Sequence, residues 1–105
     1  MRSALDVGRF LTDVDATFAA ADVPLEQVHA EYGADQFEIS LAPAEPLLTA
    51  DRTVLARILI GRAAARHGLG VSFSPVPFAG GLAFLGGLAA AVLVLALASG
   101  AGSGP

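Results

Sequence analysis

A chain of 105 residues with a net charge of −4 holds one domain at most, and six dispersed arginines without a lysine argue against nucleic acid as a partner. The absence of cysteine excludes a disulfide framework, a thiolate metal site and cysteine nucleophile chemistry. Met1 to Phe10 carries early charges and no apolar core, so it does not read as a secretory signal.

Val7, Phe10, Leu11, Val14, Phe18 and Ala21 recur at spacings of three and four and predict an amphipathic first helix, ended by Asp22-Val23-Pro24. Asp13 and Asp15 flank Val14. Helical spacing points them apart, and both are expected in solvent.

Leu25 to Leu41 reads as an antiparallel hairpin. Alternation places Val28, Ala30 and Tyr32 on one side of the first strand and Gln27, His29 and Glu31 on the other. On the second strand Phe37, Ile39 and Leu41 oppose Gln36, Glu38 and Ser40. A turn at Gly33-Ala34-Asp35-Gln36 pairs Tyr32 with Phe37, Glu31 with Glu38, Ala30 with Ile39, His29 with Ser40 and Val28 with Leu41. Two opposed carboxylates are unfavourable unless neutralised, and a divalent cation is the simplest neutraliser. The bland alternative is a wet sheet face with solvated glutamates. His29 on that face reads either as a base or ligand, or as a hydrogen-bonded sheet residue.

Pro43 and Pro46 break the strand. A second helix is expected from about Thr49, which can cap it, to His67 before Gly68, with Asp51 complementing the dipole. Val54, Leu55, Ile58, Leu59 and Ala65 are expected to cover the core, over a sheet face formed by Val28, Ala30, Ile39 and Leu41. Arg62, Arg66 and His67 suit the carboxyl end of the helix, which repels anions, so none of the three is read as a phosphate ligand.

Gly70 to Phe73 is a predicted strand with Val71 and Phe73 inward and Ser72 and Ser74 outward, ended by Pro75 and Pro77. Neither serine has a His-Asp partnership, and no Gly-x-x-x-x-Gly-Lys-Ser/Thr run is present, so a serine hydrolase and a P-loop NTPase are disfavoured. Phe78 to Ala98 is uncharged and just long enough to cross a bilayer as a helix. Leu82 to Ala98 is expected to be a helix with few contacts to the rest. Two explanations compete: an evolved carboxyl-terminal anchor obeying the positive-inside rule through Arg62 and Arg66, and a foreign tail from an altered reading frame or truncated coding region. The second is preferred. Ser99 to Pro105 reads as a Gly/Ser-rich tail.

His29-Ala30-Glu31, Gly33 through Leu41, Ala50-Asp51, Arg66-His67-Gly68 and Val71-Ser72-Phe73-Ser74-Pro75-Val76-Pro77 stand in one order along the chain. In that order they resemble the catalytic domain of the glutamine synthetase family, over about Phe10 to Gly81. The resemblance implies that Glu31 and Glu38 are metal ligands for Mg²⁺ or Mn²⁺, that Glu31 lies beside the ammonium site, and that His29 is near the chemistry. It implies the parent reaction of nitrogen metabolism, in which ATP phosphorylates the side-chain carboxylate of glutamate and ammonia or an amine displaces phosphate. After Gly81 the resemblance stops. The family's Asn-Gly loop, second-metal histidine and phosphate-binding arginines have no counterpart here, so the ATP pocket is incomplete.

The expectation is therefore an α+β fragment of that catalytic domain, α-β-β-α-β with an antiparallel hairpin, plus an apolar carboxyl-terminal helix. Residues 1–81 form the family-like part and 82–105 the apolar tail. The function expected is that of a truncated carboxylate-amine ligase, inactive alone, with Glu31 and His29 at the chemistry and Glu31 and Glu38 on the metal. Partners would be glutamate, ammonia or amine and ATP, with homo-oligomers or association with intact family subunits. Its location would be cytoplasmic. The rival is a tail-anchored membrane or interaction protein held through residues 78–98.

Overall fold

The computed structural model describes residues 4–30, 36–74, 82–85 and 87–99. In chain order these form α1 (Ala4–Ala20), β1 (Leu25–Ala30), β2 (Gln36–Leu41), α2 (Pro46–Arg66), β3 (Leu69–Phe73), β4 (Leu82–Leu85) and β5 (Leu88–Ser99). The strands run antiparallel in the order β1-β2-β5-β3, and β4 pairs with the first residues of β5. This is the expected α+β class with a different carboxyl-terminal end.

α1 buries most of the predicted stripe, with Phe10, Val14 and Phe18 fully enclosed and Val7 and Leu11 packed at its margin, whereas Ala21 lies past the helix end and is exposed. The helix stops in a Schellman arrangement: Val23 N–H donates to the Phe18 carbonyl at 2.9 Å and Asp22 N–H to the Ala19 carbonyl at 3.2 Å. Asp22 takes φ 59°, a left-handed conformation that a short polar side chain tolerates. Val23 and Phe18 are both buried and belong to the same core cluster.

The hairpin forms, but its register is not the expected one. Ala30 pairs with Phe37, His29 with Glu38, Val28 with Ile39, Gln27 with Ser40 and Leu25 with Leu41, and a register shift lies between Leu25 and Gln27. The pairing has moved by two residues from the predicted one. A shift of two keeps every side chain on its face, so alternation cannot detect it. The predicted pair of Glu31 with Glu38 is thereby replaced by His29 with Glu38. Glu31, Tyr32 and the predicted turn residues Gly33, Ala34 and Asp35 lie outside the described residues.

α2 begins earlier than predicted, at Pro46, because proline suits the first helical position and the Glu45 carboxylate accepts from Leu47 N–H and Leu48 N–H, each at 3.1 Å. Pro46, read from the sequence as a strand breaker, is thus a helix starter. Thr49 is not the cap; its buried hydroxyl lies within reach of the carbonyls of Ala44, Glu45 and Ala89, tying the helix to β5.

The core face of α2 is also the reverse of the expected one. Thr49, Thr53, Ala56, Ile60, Ala63 and Ala64 are buried, whereas Val54, Leu55, Ile58 and Ala65 are exposed and Leu59 is half-buried. The small side chains let the helix approach β3 and β5 closely, a steric demand that outweighs the larger apolar area of the other side. α2 covers β3 and β5 and α1 reaches β1, so Val28 and Ala30 remain exposed.

The predicted carboxyl-terminal helix is a pair of strands. Along β5, Ala89, Ala91, Leu93, Leu95 and Leu97 are buried while Ala90, Val92, Val94 and Ala96 are half-buried, a period of two. A continuous apolar run fits a central strand as well as a helix, because the centre of a sheet is apolar on both faces. β5 fills the gap between β2 and β3, with Leu95 opposite Phe37 on one side and Phe73 on the other. The membrane-anchor reading required a helix over 78–98 and loses its basis. Among the described residues no helix is long and apolar enough to cross a membrane. Phe78 to Gly81, Pro75, Pro77 and residues 100–105 lie outside the described residues.

Candidate metal centre on the open sheet face

The face of the sheet turned away from the helices carries Gln27 and His29 on β1 and Gln36, Glu38 and Ser40 on β2, as their alternation with buried Phe37, Ile39 and Leu41 requires. Across the strands His29, Glu38 and Val94 form one row, and Gln27, Ser40 and Val92 the next. Glu38 is half-buried and has no hydrogen bond or ion pair among the described residues, so its carboxylate keeps its full acceptor capacity. His29 Nε2 lies 2.8 Å from Gln27 Oε1. In the neutral ring that bond places the proton on Nε2 and leaves the Nδ1 lone pair free.

A carboxylate with free lone pairs beside an imidazole with a free nitrogen is a donor set for a divalent cation that accepts oxygen and nitrogen ligands. Among the described residues no cluster of three or more His, Asp or Glu gathers at one point. Remaining ligands would have to come from Glu31, from water or from substrate oxygens. β5 contributes only apolar side chains here, since Val92, Val94 and Ala96 are its residues on this face.

A second polar cluster, unrelated to the sheet face, joins the two helices. Arg66 donates to Asp13 through Nε at 2.9 Å and Nη2 at 2.8 Å, and Nη2 also reaches Thr17 Oγ1 at 2.9 Å. Thr17 Oγ1 donates to Asp13 Oδ1 at 2.9 Å, and His67 Nε2 lies 3.0 Å from Asp13 Oδ2. Asp13 is therefore not the solvated aspartate expected. Arg66 and His67 serve the neighbouring helix as well as the end of their own. Hydrogen bonding from Arg66, aided by Thr17 and His67 and opposed by burial, holds the Asp13 carboxyl well below the usual carboxylate range.

The sign of the pH effect follows. A depressed native pKa contributes stability that is complete above the ordinary carboxylate value, about 4, and is lost as pH falls below it toward the native value. Asp13→Asn should cost about 1 kcal/mol near neutral pH, the gain expected of a bidentate but partly exposed pair. Urea unfolding of both proteins at pH 7 and near pH 3 measures this. The gap between them should narrow in acid, and a gap that widens would overturn the assignment.

The family model described as "Glutamine synthetase, catalytic domain" matches residues 2–83. The chain is similar to gamma-glutamylpolyamine synthetase GlnA3 of Streptomyces coelicolor, 49% identical over 63 residues that cover 60% of this chain and 14% of that protein. It is also similar to protein fluG of Emericella nidulans, 32% identical over 68 residues, 65% of this chain and 8% of that protein. The chain thus spans a small part of either relative. No solved structure matches it.

Proposed function

The chain belongs to the glutamine synthetase family through its catalytic domain, and from that premise we propose that it is a piece of an ATP-dependent carboxylate-amine ligase that carries half of a metal site. The observation that supports this most directly is the Glu38 carboxylate, without a partner among the described residues, beside His29 on the open face. Glu38, together with Glu31, would hold Mg²⁺ or Mn²⁺. When bound, the metal supplies neutralisation of phosphate charge, the service that carboxylate-held cations give to phosphoryl transfer. His29, with Nδ1 free, would stand by as a base or further ligand, and Glu31 would lie beside the incoming amine.

The acid would be glutamate and the amine either ammonia or a polyamine, the latter supported by the name of the Streptomyces relative. ATP would be bound only in part, because neither a second-metal histidine nor phosphate-binding arginines are recognisable after Gly81. These 105 residues by themselves would be inactive, and a homo-oligomer or association with intact family subunits, in the cytoplasm, would be needed to complete a site. The family match ends at residue 83, and the division near residue 81 would be one of sequence origin, since Leu82–Leu85 and Leu88–Ser99 pair within the sheet.

Titration with Mn²⁺, followed by the loss of the free-ion paramagnetic signal, tests the metal half of this reading. Native chain should bind weakly, and Glu38→Gln should weaken binding at least about tenfold, the loss that removal even of a partner outside the ligand shell brings. Equal binding by both proteins removes the metal site. γ-Glutamyl hydroxamate formation with ATP and Mn²⁺ should not exceed that of a Glu31→Ala, Glu38→Ala control; turnover above it would show a complete active site.

A further inference from the structure

α2 has two apolar faces, and the described residues bury only one of them. Opposite its buried side, at successive spacings of four, three, four, four and three, run Leu47, Asp51, Val54, Ile58, Arg62 and Ala65. Leu47 is 70% exposed, Val54 61% and Ile58 47%. A helix that is apolar on two sides has two surfaces to bury.

We infer that this stripe is the contact with a second copy of the chain, α2 lying antiparallel on its counterpart about a two-fold axis level with Ala56. In that arrangement residues whose numbers sum to 112 face one another. Val54 meets Ile58 of the other copy, and bulky Leu47 meets small Ala65. Asp51 comes within one residue, about 1.5 Å of helix rise, of Arg62. Each pairing occurs twice, as an isologous interface demands.

Charge complementarity selects this occupant and this direction. The stripe carries one acid and one base, on opposite sides of the axis, so an antiparallel copy matches Asp51 with Arg62 whereas a parallel copy would set like charges together. Neither Asp51 nor Arg62 has an ion pair among the described residues. A single helix pair is at the small end of specific interfaces, so a weak dimer is expected, and we take about 10–100 μM as its working affinity.

Sedimentation equilibrium of the full chain from about 10 μM to 1 mM, a range set to bracket that affinity, tests the inference. The native chain should pass from monomer to dimer. Asp51→Arg and Arg62→Asp should each weaken the dimer at least about tenfold, because each places like charges across the axis twice. The double variant keeps the net charge at −4 and should recover native affinity to within about threefold. Ile58→Glu should leave a monomer. All the altered positions are exposed, so helix content by circular dichroism should be unchanged and serves as the folding control. A native chain that stays monomeric throughout overturns the inference, including the case in which some other polypeptide covers the stripe. So does a dimer indifferent to the single reversals, or a double variant that fails to recover.

Discussion

Leu95→Pro should leave the chain without a cooperative unfolding transition. Leu95 is fully buried at the centre of the sheet, paired across to Phe37 and to Phe73. Proline removes a ladder donor from a central strand and leaves the buried carbonyl opposite without its partner, at about 1–3 kcal/mol before any steric cost. Loss of the leucine side chain adds about 2–5 kcal/mol, and the sum approaches or exceeds the whole stability of a domain this small. Thermal melting by circular dichroism, with amide exchange of β2 and β3, is the measurement. Leu95→Ala, which keeps the backbone donor, should still melt cooperatively at a lower temperature. If proline at 95 left the melt native-like, β5 would not be a central strand.

Phe10→Ala should cost about 3–5 kcal/mol, the range for emptying a fully enclosed aromatic site. Phe10 is fully buried, and its ring stands edge-on to that of His67, the centroids 6.4 Å apart at 81°. The same histidine touches Asp13. Loss of the ring should therefore loosen the tie between α1 and α2, so that Phe10→Ala and Asp13→Asn combined cost less than their separate effects added. Urea denaturation of the single and double variants measures both quantities. A cost under about 1 kcal/mol for Phe10→Ala would place α1 outside the core.

Legibility in the sequence followed the kind of constraint involved. The α1 stripe was plain because Phe10, Val14 and Phe18 are large and regularly spaced, and helix and core agree. Hairpin parity was plain for the same reason, whereas its register was not, since a move of two residues conserves the faces of His29 and Glu38 alike. Reading α2 by hydrophobicity chose Val54, Leu55 and Ile58, yet contact with a sheet is governed by how near the backbone can come, and Ala56, Ala63 and Ala64 decide that. The β5 run was ambiguous in principle, being apolar on both faces. Of the site, the shared face of His29 and Glu38 was legible from alternation. The Asp13 cluster was not, because its partners are 49 to 54 residues away and no local pattern links them, apart from Thr17 one turn on.

β5 occupies the middle of the sheet although it follows the other strands in the chain. During translation β2 and β3 emerge first and face an empty slot, each with a row of unpaired amides and carbonyls. Neither α1 nor α2 closes them, since both lie on the sheet face rather than along a strand edge. The pairings that complete the sheet, such as Phe37 with Leu95, span more than half of the chain, so ordering comes late and loop-closure entropy slows it. A nascent chain halted before Leu88 would present two open edges and a bare apolar floor, the condition under which growing polypeptides depend on chaperones or stick to one another.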